Sequence, residues 1–250
     1  MLGINGTGNL TGANVTNVVI TCSTDSFTIG GTVTGLAGSG LVLQNNGGDD
    51  LPVNSSGSFT FSSTMPDLSS YNVTVLTQPS IPSQTCTVTG GAGTLAGANV
   101  TDITIACTTN TYTIGGTVTG LQGTGLVLRN NGGDPLPISG DGDFTFGTAL
   151  NDGSTYLVTV QTQPTGPVQT CTVSSGSGTL AGANVTGVTV TCSTTTFTVG
   201  GTVSGLTGTG LVLQNNAGDD FAVGANGSFT FTAPLADGSG YEVTVLTQPS

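Results

Sequence analysis

The 250-residue chain contains no histidine, no lysine and no tryptophan, and Arg129 is its one basic residue. Each absence removes a class of chemistry. Without histidine there is no Ser–His or Cys–His dyad, no imidazole base and no His-ligated zinc. Without lysine there is no Schiff-base nucleophile, no P-loop and no Lys–Asn isopeptide cross-link. Thirteen acids against that single cation give a net charge of −12, which repels phosphate backbones and anionic bilayers. Nucleic acid is therefore not an expected partner. No run of 18 apolar residues occurs, so no membrane insertion is expected. Met1–Gly6 lacks the basic and apolar regions of a signal peptide, so either a leader has been removed or the chain is a segment of a longer one. No acid is set among apolar residues in a way that raises its pKa. No enzyme and no cofactor are expected.

What is present points to strands. Glycine and proline, 42 and 10 residues, make up about a fifth of the chain, and threonine, valine and asparagine are prominent in the rest. Those are the residues of strands and tight turns. Period-2 alternation recurs and helical periodicity does not. The class is all-β. Only 6% of residues are charged, so threonine, serine, asparagine and glycine must cover most of the surface.

An internal repeat organises the chain. Cysteines stand at 22, 86, 107, 171 and 192, with gaps of 64, 21, 64 and 21 and hence a period of 85. Phe27, Tyr112 and Phe197 keep that period, as do Leu41, Leu126 and Leu211. So do Phe59, Phe144 and Phe229, and Tyr71, Tyr156 and Tyr241. Within the first full copy, Phe27–Leu36 reads as a strand with a bulge or bend at Gly30-Gly31. Leu41–Gln44, Leu51–Asn54, Ser58–Phe61, Tyr71–Leu76, Gln84–Val88 and Asn99–Cys107 complete about seven short strands. The spacing predicts tandem seven-stranded Greek-key, Ig-like β-sandwiches. Residues 1–23 match the last two strands of a repeat, 24–108 and 109–193 are full repeats, and 194–250 carries the first five strands. Leu41, Phe59, Phe61, Tyr71, Val73 and Val75 are the expected core, with the same burial 85 and 170 positions later.

The succession GGTVTGLxGxGLVLxNN, GxFTF, YxVTV resembles the prealbumin-like and immunoglobulin-like modules repeated in large bacterial surface proteins. The resemblance covers essentially the whole chain. It implies an extracellular or cell-surface setting and a role in spacing, anchoring or fibre building, with no catalytic residues to carry over. Unlike antibody domains, these repeats have no tryptophan beside a disulfide.

Two cysteine connectivities fit the repeat: Cys86–Cys107 with Cys171–Cys192, or Cys22–Cys86 with Cys107–Cys171. Strand parity favours the first, leaving Cys22 without its repeat partner. The start of the sixth strand and the end of the seventh lie at the same end of a sandwich. Cys22 would stand about 20–25 Å away, beyond the roughly 7 Å a disulfide spans between Cα atoms.

Other candidate sites have bland readings beside them. The Asn45–Asp50 turn recurs as Asn130–Asp134 and Asn215–Asp220, so Asp49, Asp50, Asp134, Asp219 and Asp220 are candidate calcium ligands. The turn lacks a D-x-D-x-D-G loop, and Pro135 replaces the second acid in the middle copy, so a plain polar turn is the preferred reading. Asp141 and Asp143 occur in one copy only. Asn14, Asn72, Asn99 and Asn184 each begin an N-V-T sequon.

Function follows from the array. The expected role is a structural filament or stalk; the alternative is an adhesin presenting loops to glycan or protein. Differences between copies are scattered (Ala37, Gln122 and Thr207; Ser80 and Thr165) rather than gathered at loop tips, which favours the array. Asn5–Val15 resembles Gly90–Val100, Cys22 matches Cys107 and Met1 takes the place of Cys86. The two ends thus supply nearly one whole unit. Head-to-tail polymerisation by strand donation and a window on a longer repeat chain both account for that register.

Overall fold

A computed structural model describes residues 3–4 and 7–250 and shows an all-β chain. It has two compact units, Met1–Thr111 with Asn151–Gly153, and Tyr112–Leu150 with Ser154–Ser250. The first full repeat lies in the first unit. Its main strands are β1 (Ile29–Thr34), β2 (Leu41–Asn45), β3 (Asp49–Val53) and β4 (Gly57–Thr60). They continue with β5 (Ser70–Thr77), β6 (Gln84–Thr89), β7 (Ala92–Thr94) and β8 (Val100–Thr109). One four-stranded sheet runs β6-β8-β1-β4 and the other β7-β5-β2-β3.

Alternation decides which side chains face inward. Leu41 and Leu43 of β2 are buried while Val42 and Gln44 between them are half-exposed, and Ile103, Ile105 and Cys107 of β8 alternate with exposed residues. These side chains join Ile29, Val33, Phe59, Phe61 and Val73 in a core shared by the two sheets. Phe59 and Phe61 meet edge to face at 6.0 Å, a favourable aromatic geometry.

The pairing of β8 with β1 is parallel, and every other pairing in the two sheets is antiparallel. The last strand of the repeat thus lies beside the first, with the sixth outside it. This accounts for Gly30-Gly31 differently from the sequence expectation. The register shift falls on β8, between Val100 and Ile103. The glycines are needed because a Cβ on Gly31 would collide with the Ile103 carbonyl oxygen, and one on Gly30 with that of Phe59. Tight turns follow the same economy. Asn46 and Gly47 both take positive φ, 50° and 72°, in the three-residue link Asn46-Gly47-Gly48 that joins β2 to β3, a backbone that glycine and asparagine adopt most readily.

In the second unit, the second repeat forms the same two sheets. One is ordered Gly142–Thr145, Ile114–Thr119, Val185–Thr194, Gln169–Ser174. The other is ordered Gly133–Ile138, Leu126–Asn130, Thr155–Thr162, Ser177–Thr179. The third repeat has two two-stranded sheets, Gly200–Val203 with Gly227–Thr230 and Thr196–Phe197 with Leu235–Ala236, and a three-stranded one of Asp219–Val223, Leu211–Asn215 and Val243–Thr247. Its buried core shrinks to Leu211, Leu213, Val223 and Phe231.

The equal burial predicted for all three copies therefore holds for two. Val73 and Val158 are each 2% exposed, but Val243 is 39% exposed, and Tyr241 and Val245 are exposed with it. Residues 194–250 contain no counterpart of β6, β7 or β8, the strands that complete the core in the two full repeats.

Phe146 is a buried centre of the second core. Phe146→Ala should lower stability by about 3–5 kcal/mol, read by urea titration. A loss under about 1 kcal/mol would contradict its place there.

Candidate functional site: the repeat junction and the open third repeat

Cys86 is bonded to Cys107 and Cys171 to Cys192, while Cys22 is free and exposed. Each bonded pair consists of direct cross-strand neighbours on the sixth and eighth strands. Gln78 braces the first, its Nε2 donating to the Cys86 carbonyl at 3.1 Å and its Oε1 accepting the Cys86 N–H at 2.7 Å. Gln163 does the same for Cys171.

Of the candidate calcium ligands, two serve their own hairpins. Asp50 and Asp220 each accept a hydrogen bond from the cross-strand Gln44 and Gln214, both at 2.6 Å. The middle copy changes both partners together, to Pro135 and Arg129, and Arg129 donates to Thr159 instead. Asp219 accepts from Thr232 and the Ala233 N–H, and Asp134 from the Thr148 N–H. Asp49 keeps one buried carboxylate oxygen without a partner. Among the described residues no three acids, cysteines or histidines gather as a metal-binding group.

Asp141 accepts the N–H groups of Gly120 and Leu121, the position at which Ser56 and Asn226 accept from Leu36 and Leu206. Asp143 accepts from Thr117. Of the sequon asparagines, Asn99 and Asn184 use their side-chain oxygens to accept the N–H of Thr28 and Thr113, each at 2.9 Å.

Two constellations are absent from the sequence reading. The first is a buried glutamine. Gln84 Oε1 accepts the N–H groups of Ala37 and Gly38, both at 2.8 Å, and its Nε2 donates to the Gly35 carbonyl. Gln169 repeats the arrangement with Gln122, Gly123 and Gly120. A polar side chain this deep holds its place by using its amide fully.

The second is a ring of hydrogen bonds at the repeat junction. In the second unit, the linker residue Thr195 donates its N–H to the Val168 carbonyl at 2.9 Å. Its own carbonyl accepts the N–H of Asp237 at 2.8 Å. The Asp237 carboxylate closes the ring by accepting the Val168 N–H at 2.6 Å. The first unit, which includes residues 151–153, holds the same ring among Asn110, Ser83 and Asp152. A short bond from a backbone N–H to a carboxylate is charge-assisted and stronger than a neutral one. Asp152 is 8% exposed, the one charged side chain among the buried residues. Asp67 holds this position in the first repeat. Its N–H donates to the Asp25 carbonyl, and its carboxylate accepts the Gly97 N–H. The period-85 recurrence of Asp67, Asp152 and Asp237 in a charge-poor chain was the available signal.

The third repeat presents a cleft of about 320 Å³, lined by Phe197, Thr198, Leu235, Asp237 and Tyr241 among others. In the second repeat the strand Val185–Thr194 occupies the corresponding place. No protein-family model matches the chain, and a search of curated proteins finds no similar sequence.

Gln169→Leu would leave the N–H groups of Gln122 and Gly123 buried without acceptors. The expected loss is about 1–3 kcal/mol, with faster amide exchange at those two residues. Unchanged exchange would show that the loop does not depend on the glutamine.

Proposed function

We propose that the chain is a non-catalytic structural repeat protein of the extracellular space or cell surface. Its Ig-like sandwich modules serve as the spacing units of a stalk or filament. The observation that carries this reading is the hydrogen-bonded ring at the junctions. Tandem domains whose only task is to present a site tolerate flexible linkers. Here the linker residue is held on both sides, by the turn of one repeat and the aspartate of the next. A charge-sparing surface and disulfides placed once per repeat support an oxidising, extracellular setting. The turn acids are taken up in local bonds, Asp50 and Asp220 within their hairpins and Asp134 and Asp219 to Thr148, Thr232 and Ala233.

Immunogold labelling of native material with antibodies to the chain should decorate fibres or stalks outside the cell. Label confined to the cell interior would overturn the reading. At the molecular level, Asp237→Ala should open the ring in the second unit and make the linker around Thr195 at least several-fold more sensitive to a broad-specificity protease. An unchanged cleavage rate would mean the ring does not hold the linker.

A further inference from the structure

We infer that Gln78 and Gln163 are edge guards. Each offers its side-chain amide in place of a neighbouring strand, and so keeps a second copy of this chain from adding to the sixth strand of its module. The guard belongs to the single module and holds whether or not modules form a stalk or filament.

The sixth strand is where a guard is needed. β6 lies at the edge of its sheet, and Gln169–Ser174 lies at the same edge in the second repeat. Their sequences, QTCTVT and QTCTVS, are uncharged, rich in β-branched residues and free of proline and glycine. Six-residue segments of that composition pair readily with copies of themselves. Proteins commonly blunt such an edge with a charged side chain, lysine above all. This chain has no lysine and a single arginine, so its edges have to be closed by neutral groups.

The geometry supplies that closure. In a hydrogen-bonded pair of an antiparallel ladder, the N–H and the C=O of one residue both bond to the same residue opposite. Gln78 reproduces both bonds with one amide. Its Oε1 accepts the Cys86 N–H at 2.7 Å, and its Nε2 donates to the Cys86 carbonyl at 3.1 Å. Gln163 and Cys171 form the same pair of bonds at 2.7 and 3.0 Å. These groups of Cys86 point away from β8, so alternation makes Gln84, Cys86 and Val88 the outward positions of β6. The Gln84 N–H goes to the Pro79 carbonyl at 3.1 Å, and the Gln169 N–H to that of Pro164 at 3.4 Å. Val88 is then the remaining outward residue before Gly90, where φ is 71°. One residue is too short a template for an added strand. The second repeat protects another edge by a different neutral means. Pro135 and Pro137 stand on the edge strand Gly133–Ile138, where proline leaves no N–H for an incoming strand.

Gln163→Ala tests the guard. In dilute solution the Cys171 N–H should exchange several-fold faster than in the unmodified chain, up to about tenfold for the loss of one hydrogen bond. As concentration rises, that exchange should slow again while the mass by light scattering grows, because a second copy's strand now covers the edge. In the unmodified chain, Cys171 exchange should not respond to concentration. Adding Thr172→Lys, at an exposed position of the same strand, should keep the exchange fast and return the mass to that of the unmodified chain at equal concentration. Gln163→Glu, which keeps an acceptor and adds a charge, should also stay at that mass. Cys171 exchange in Gln163→Ala that is indifferent to concentration overturns the inference, as does a rise in mass that survives Thr172→Lys. A Gln163→Ala chain that loses its fold outright would make the glutamine a structural brace, and overturns it too.

Discussion

Each full repeat is closed by its last strand, because β8 lies parallel against β1. Contacts between strands some 70 residues apart therefore complete the core. Ile103 and Ile105 are fully buried where they join Val33 and Phe59, and Gly31 of β1 lets the closing backbone come near. The sixth strand is then stapled to β8 by the disulfide, whose 21-residue loop contributes about 3 kcal/mol in the chain-entropy model. In residues 194–250 the first five strands pair around a smaller core of Leu211, Leu213, Val223 and Phe231, with Tyr241, Val243 and Val245 exposed.

Polar groups inside these modules are satisfied almost without charge. Gln84 and Asn45 are both buried, and each uses its side-chain amide to bind backbone that no strand partner reaches. A neutral amide loses less on desolvation than a carboxylate does. The exception is informative. Asp152 is buried as an acid where a repeat junction offers it backbone N–H donors, and there the ionised form strengthens the bonds it accepts.

Much of this was legible in the sequence. The 85-residue period, the all-β class and most strand positions followed from spacing and alternation, which are local signals, whereas the strand Ala92–Thr94 falls between the sixth and seventh expected strands. The parallel β1–β8 pairing was not legible, because alternation fixes which face a residue takes and says nothing of which strand lies beside it. Gly30-Gly31 was seen as unusual but assigned to a bulge in its own strand. Its cause is a carbonyl on another strand. Gln84 and Asp152 were missed for a related reason: a polar residue next to a turn reads as exposed unless the partner backbone is known. The turn acids Asp49 and Asp50 drew attention because they cluster in sequence, and the isolated Asp67, Asp152 and Asp237 did not. Yet two of these isolated acids, Asp152 and Asp237, are the ones that hold the repeat junctions.

The same topology determines how a module bears load. In the proposed stalk or filament, tension along the chain would enter a repeat at the start of β1, near Ile29, and leave at the end of β8, near Thr109. In a parallel pair those are opposite ends, so the strands are pulled past each other lengthwise. The hydrogen bonds between them are then loaded together rather than opened one after another, as they would be in a hairpin pulled from its free ends. The disulfide ties β8 to its other neighbour at Cys107, two residues before the strand ends, so the sixth strand is drawn into the same load. Beyond Thr109 the chain passes at once into Asn110, whose N–H and carbonyl are both engaged in the junction ring. Force thus passes from a sheared strand pair into a held linker, with no slack segment between them.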